Sequence, residues 1–238
     1  MSQQTFVFKQ FSIHQYKSAH KVGTDAVLIG SWAEVSKAKT ILDIGTGTGI
    51  IALMMAQKSE AQIDAIDIEQ GSFEQAEENA SHSIWANRVK VYQYSLQDFA
   101  KTAHKKYDVI ITNPPYFVDS SKAPDEERSH ARHTDTLSFS ELIAGVKSLL
   151  NETGIFYIIL PTKEALDFKH LAEKNGLYLI KLLRIKTKST SEVEKRHIML
   201  FKHKAENLSE ECLSIEHEGR HNYTDEYKNL TKDFYIHF

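Results

Sequence analysis

The chain has 238 residues, 41% hydrophobic and 26% charged, with a single cysteine and a formal net charge of −3. That is ordinary globular composition, which excludes disorder, collagen and coiled coil, and the length fits one decorated domain or two small ones that bury enough surface to need no disulfide or metal staple. Cys212 alone builds neither an internal disulfide nor a multi-cysteine zinc site, the opening MSQQTFVFKQF lacks a signal's apolar core, and no apolar run reaches the ~20 residues of a bilayer span, so a soluble, cytoplasmic protein is expected.

In chain order, residues 1–40 read as an extension whose one helix opens at Thr24-Asp25, a good capping pair. Ile41 to Ile44 is a buried strand, Gly45 to Gly49 a tight glycine loop, and Ile50 to Lys58 a helix rich in Ala, Leu and Met. A strand at Ile63 to Ile68 leads into a helix at Phe73 to His82, and strands follow at Val89 to Tyr92 and Asp108 to Ile111. Val118 to Ser138 is polar and longer than the ~12–15 residues of ordinary loops, a length associated with function or disorder. Phe139 to Leu150 is helical, Gly154 to Leu160 a strand, and Glu164 to Asn175 a helix closed by Gly176. Tyr178 to Ile185 and His197 to Phe201 are strands joined by a polar connection, which suits an antiparallel pair at a sheet edge. Strands alternating with helices predict an α/β fold, a mostly parallel seven-stranded sheet covered by helices on both faces. Residues 41–204 are expected to form this core, and 205–238 an acidic tail whose aromatic end, Phe234 to Phe238, packs on it.

Charge is unevenly spread. Residues 60–80 carry seven acidic and no basic side chains, whereas 181–204 carry eight basic against two acidic. Such patches are compatible with nucleic-acid binding and equally with solvated faces, so charge alone does not choose.

The first chemical signal is Asp43-Ile44-Gly45-Thr46-Gly47-Thr48-Gly49, between a strand and a helix. Glycines there let a ligand approach the backbone, and the helix start offers free N–H groups. The spacing is GxGxG, since Ile50 stands where a dinucleotide site wants its third glycine. Asp43 repels a pyrophosphate but attracts an ammonium, and Asp67, at the end of the next strand, can bind both hydroxyls of a ribose. A nucleoside carrying an amino-acid group and no phosphate is S-adenosylmethionine. The bland alternative is a glycine turn that only closes strand to helix. The second signal is Asn113-Pro114-Pro115-Tyr116, directly after a strand. Proline cannot continue a central ladder, so the chain turns there and presents the Asn113 side chain and the Pro114 carbonyl as acceptors, with Tyr116 as a stacking ring. Two acceptors and a ring suit a planar group bearing an NH2.

Together these motifs resemble the amino-methyltransferase branch of the Rossmann-like class I methyltransferases. Phe8-Lys9-Gln10-Phe11, Lys21-Val22-Gly23-Thr24-Asp25, Ser83-Ile84-Trp85, Asn113 to Phe117 and Ala131-Arg132-His133 narrow the likeness to the bacterial tRNA1(Val) adenine-N6 methyltransferase family, over nearly the whole chain. The resemblance implies methyl transfer from S-adenosylmethionine to N6 of the adenine 3′ of the anticodon, with tRNA as partner and no metal or membrane. It places Asp43, Gly45, Thr46, Gly47 and Gly49 on the methionine part of the cofactor, Thr24 over its end, Asp67 on the ribose, and Asn113, Pro114 and Tyr116 at the reacting amine. Many relatives carry an Asp after the third core strand for the cofactor adenine. Here Ser95 stands in that place, so Ser95 or the Leu96 backbone serves, or Asp98 turns in.

Substrate contacts are expected from Tyr116 and Phe117, and from the basic run through Lys186, Lys188 and Arg196. Arg128 and Arg132 either clamp a phosphate or pair with Glu126 and Glu127. A protein glutamine methyltransferase poses the same amide geometry but expects a helical N-terminal domain, for which forty mixed residues leave little room. A non-catalytic RNA-binding module is a further alternative, against which the intact Asn-Pro-Pro-Tyr argues.

Overall fold

The structure, a computed structural model, describes residues 4–18, 21–114 and 137–238. At the start, β1 (Thr5–Val7) and β2 (Ser12–His14) form an antiparallel hairpin, and α1 (Thr24–Trp32) follows. The core then runs β3 (Thr40–Ile44), α2 (Ile50–Lys58), β4 (Gln62–Asp67), α3 (Gln70–Ser81), β5 (Val89–Gln93), α4 (Leu96–Thr102) and β6 (Tyr107–Thr112). From residue 137 onward come α5 (Phe139–Leu149), β7 (Leu150–Pro161), α6 (Thr162–Lys174), β8 (Tyr178–Lys188), β9 (Glu194–Lys202), β10 (Ser209–Glu216) and α7 (Asp225–Thr231). The main sheet has the order β10-β8-β9-β7-β6-β3-β4-β5. Strands β3 to β7 pair in parallel, β9 is antiparallel to both β7 and β8, and β10 is parallel to β8.

Strand alternation builds two apolar layers. Ile41, Val109, Ile111 and Ile159 enter the layer with Leu28 and Ile29 of α1 and Leu53 and Met54 of α2. Their neighbours Leu42, Ile110 and Ile158 enter the opposite layer, with Val146 of α5 and Phe168 of α6. Strands buried on both faces in this way read as continuous apolar runs, which is why they stood out in the sequence.

All seven expected strands are present, and β10 adds an eighth that the sequence pattern does not announce. Only Leu213 of β10 is buried, and its acids are matched to bases of β8: Glu211 pairs with Lys181 at 3.0 Å and Glu210 with Arg184. A charged, half-wet strand suits a sheet edge and hides from a hydrophobicity pattern. The antiparallel pair therefore lies one strand inside that edge. The hairpin, α4 and α7 are likewise additions. Helix α1 starts at Thr24 as expected, but its N-cap is Gly23, without a side-chain cap, and Asp25 pairs with Arg196 at 2.8 Å. The tail's Phe234 is buried and its carbonyl accepts from Lys9 N–H at 2.8 Å, beside buried Phe8 and Phe11. Cys212 is exposed on β10. Among the described residues no helix is long and apolar enough to cross a membrane.

Candidate active site

Register gathers the chemical residues at one edge of the sheet. Ile44 lies opposite Ile66 on one side and Thr112 on the other, so the glycine loop after β3 sits between Asp67 and Asn113. Asp67 in turn lies opposite Gln93, which places Ser95 and Leu96 on its far side. These loops follow the carboxyl ends of parallel strands, where open α/β sheets bind ligands.

The loop is held from beneath. Gly45 and Thr46 N–H groups donate to the Ile66 carbonyl at 2.9 and 3.0 Å, and Gly47 N–H donates to Asp67 Oδ2 at 2.8 Å. Gly45 and Gly47 have φ of 68° and 58°, the left-handed region that favours glycine. A Cβ built on either meets no atom within 4 Å, so the space over the loop is open. Gly49 instead approaches Ala76 of α3, where a Cβ would come to 3.3 Å.

Asp43 is fully buried. Its Oδ2 accepts from Thr46 Oγ1 at 2.6 Å and from Ala52 N–H at 3.1 Å, tying the loop to the start of α2. Its Oδ1 has no partner among the described residues. Burial raises its carboxyl to about 7, against the two hydrogen bonds, which favour the anion, while nearby Asp67 adds to the rise. Half-buried Asp67 uses Oδ1 to accept from Glu69 N–H at 3.0 Å. Open space over two left-handed glycines, a carboxylate beside it and an unpaired buried acceptor behind it suit a ligand with hydroxyls and a cationic amine. Ile68 and Tyr94, which follow Asp67 and β5 with large exposed side chains, add apolar surface for a planar base, a feature the sequence pattern does not mark. Ser95 caps α4, accepting from Asp98 N–H at 3.0 Å and donating to Asp98 Oδ2 at 2.9 Å.

At the end of β6, Thr112 is buried and its hydroxyl donates to the Ile44 carbonyl at 2.7 Å, locking β6 to β3 one residue before half-buried Asn113 and buried Pro114. Thr112 carries no motif, and only its hydroxyl in an apolar strand marks it. Tyr116, Phe117, Arg128 and Arg132 lie outside the described residues. Thr24 is exposed at the first turn of α1.

Lys186 and Lys188 stand at the end of β8, and Arg196, opposite Ile185 and Pro161, at the same edge. Arg196 is already held by Asp25, and Lys181, Arg184 and Lys202 by glutamates, whereas Lys186, Lys188 and Lys195 have no ion pair among the described residues. His14, Glu78 and His82 lie close enough to share a metal ion, but Lys17 already occupies Glu78 at 2.9 Å.

Comparison with known proteins bears on the family and the fold. Residues 18–175 match the methyltransferase small domain family. The chain is 44% identical to the tRNA1(Val) (adenine(37)-N6)-methyltransferase of Bacteroides fragilis, over 99% of both chains. It is equally identical to that of Flavobacterium psychrophilum, over 97% of this chain and 99% of the relative. Among solved structures it resembles a predicted O-methyltransferase from Agrobacterium tumefaciens, with TM-score 0.69 at 17% identity over 88% of this chain and 96% of that one. It also resembles a ribosomal protein L11 methylase from Lactobacillus delbrueckii, with TM-score 0.53 at 20% identity over 76% and 77%.

Proposed function

The chain belongs to the tRNA1(Val) (adenine(37)-N6)-methyltransferase family, and from that premise we propose that it methylates N6 of the adenine 3′ of the anticodon, at tRNA position 37. Its methyl donor is S-adenosylmethionine, which when bound supplies an electrophilic methyl on a sulfonium. The register that sets Asn113 beside the glycine loop carries the reading, because it brings amine acceptors next to a pocket for the donor.

In this reading Asp67 holds the ribose hydroxyls, and Asp43, Gly45, Thr46, Gly47 and Gly49 shape the cradle for the methionine part, which Thr24 closes. The turn at Ser95 and Leu96 receives the cofactor adenine. Ser95 Oγ is engaged with Asp98, so the Leu96 backbone is the better placed of the two.

The N6 lone pair of adenine is delocalised into the ring, so the amine is a poor nucleophile. The Asn113 side-chain oxygen and the Pro114 carbonyl accept from its two N–H groups, favour pyramidal nitrogen and direct the lone pair toward the donor. Such bonds act by orientation and preorganised electrostatics rather than by a strong base. Loss of the proton follows transfer, since the methylated ammonium is strongly acidic. Tyr116 stacks on the base once it has left the loop, with Phe117 beside it. Lys186 and Lys188, together with Arg128 and Arg132, take the phosphates in this reading, while Arg196, held by Asp25, fastens α1 beside them. The relatives, named as tRNA adenine methyltransferases, support RNA over a glutamine-bearing protein as substrate.

Mass spectrometry of nucleosides tests this reading. tRNA1(Val) from a strain lacking the gene should lose N6-methyladenosine at position 37 and regain it with the wild-type gene. An unchanged nucleoside profile would refute the assignment.

A further inference from the structure

A groove of about 940 Å³ opens beside α1, between the ends of β8 and β9 and the C-terminal tail. Thr24, Lys195 and Arg196 line it together with Tyr223, Tyr235 and His221. Sheet register fixes its place relative to the reacting amine. Arg196 lies opposite Pro161 of β7, and β7 is the neighbour of β6, so Arg196 stands two strand spacings, about 10 Å, across the sheet from the strand that leads into Asn113. Thr24, proposed above to close over the cofactor's methionine end, also lines this groove.

Its lining is aromatic and partly open. Tyr223 stacks on buried Tyr227 at 5.3 Å, and Phe238 packs edge-on against Tyr223 and Tyr235 at 5.1 and 5.3 Å, so these half-buried rings are braced from behind. Val7 and Ile236 also line the groove and remain 52% and 49% exposed, apolar surface left to water. Lys195 is exposed and without an ion pair among the described residues, while its neighbour Arg196 is neutralised by Asp25. His221 has φ of 66°, the one non-glycine residue with positive φ among those described. Its N–H donates to Glu216 Oε1 at 2.8 Å, and its Nδ1 lies 3.2 Å from the Tyr223 hydroxyl, so the strained residue is fastened to the aromatic wall.

We propose that this groove holds an unstacked base of the substrate's single-stranded loop, a near neighbour of the target adenine, stacked on the Tyr223–Tyr235 wall with its phosphate at Lys195. Aromatic faces take any base, and a free lysine on the groove suits the backbone that follows it. The inference rests on the adenine-methyltransferase reading above and adds a second nucleotide to it.

A thermodynamic cycle between protein and RNA tests it. Anticodon stem-loops carrying an abasic residue at each position flanking the target adenine are bound and methylated by wild type, by Tyr235→Leu and by Lys195→Ala. One abasic position should weaken wild-type binding about tenfold and raise KM with kcat unchanged, yet cost Tyr235→Leu less than twofold. Lys195→Ala should raise KM on the intact stem-loop and leave S-adenosylmethionine affinity unchanged. Because Tyr235 also packs against Phe8, the pair Lys195→Ala and His221→Ala, both exposed, decides the question should Tyr235→Leu fail to fold. Strictly additive costs at every position, with wild type methylating the intact stem-loop normally, would refute the groove and leave the function standing. Failure of wild type to methylate any stem-loop would remove both.

Discussion

In the proposed mechanism Asp67 holds the donor and Asn113 prepares the acceptor. Asp67 already accepts from Gly47 N–H at 2.8 Å, so it shapes the loop as well as offering itself to a ribose. Asp67→Ala should weaken S-adenosylmethionine binding by roughly 1.5–3 kcal/mol, the worth of a charge-assisted hydrogen bond, measured by calorimetry with NAD as control. Unchanged affinity, or preference for NAD, would overturn the pocket. Asn113→Ala should lower kcat strongly and leave cofactor affinity nearly intact, because its bonds strengthen as the nitrogen pyramidalises. Asp43 gives a separate test through pH. Its carboxyl, raised by burial to about 7, binds more protons folded than unfolded, so its contribution to stability is complete below its ordinary value of 3.8 and is lost as pH rises through about 7. Asp43→Asn cannot ionise. Between about pH 5 and pH 8 the wild type should therefore lose roughly 5 °C of Tm relative to Asp43→Asn, read by thermal denaturation. Parallel curves would show that the carboxyl does not titrate in this range.

Strands β8 and β9 carry the basic run, and their ion pairs sort it. Arg196 is held by Asp25 of α1, so its first duty is to fasten that helix, whereas Lys186 and Lys188, without ion pairs among the described residues, are open to phosphate. Replacing Lys186, Lys188 and Arg196 together by Ala should flatten the salt dependence of RNA binding by ~1.4 in log–log slope, about 0.7 for each phosphate that a lysine no longer neutralises. Arg196→Ala alone should leave the slope nearly unchanged and lower Tm by a few degrees. A triple variant with the wild-type slope would move the RNA elsewhere, with Arg128 and Arg132 next in line. The same strands show what the sequence made legible. Runs such as Ile41 to Ile44 and Asp108 to Ile111 announce themselves because both faces are buried, and the glycine loop and Asn113 because their backbone demands are local. β10 was hidden, since its register with β8 is written in charge pairs between residues 26 and more apart. Ser95 to Asp98 spells a helix start, S-x-x-D, and it caps α4, although the sequence drew attention to it as a missing cofactor contact. That Arg196 reaches Asp25 across 171 positions is a tertiary fact no local pattern carries.

On the scale of the whole molecule, the sheet order brings the glycine loop, Asp67, Asn113 and the lysines without an ion pair among the described residues to a single edge. The acidic stretch 60–80 forms β4 and α3 on one side of the glycine loop, while the basic run forms β8 and β9 on the other side of β6. On the proposed path RNA arrives along the β8–β9 side, where it meets positive charge first and Asn113 next, without crossing the acidic half. Separation of this kind steers a polyanion even in a chain of net negative charge. The central claim is that this edge methylates the exocyclic nitrogen of one adenine. Its most direct test is single-turnover reaction of the purified protein with a tRNA1(Val) anticodon stem-loop and S-adenosylmethionine, followed by mass spectrometry of the nucleosides. N6-methyladenosine at position 37, formed by wild type and strongly slowed by Asn113→Ala, is the predicted result. Methyl found at N1, at C2 or on a ribose, or formed by Asn113→Ala at the wild-type rate, would contradict it.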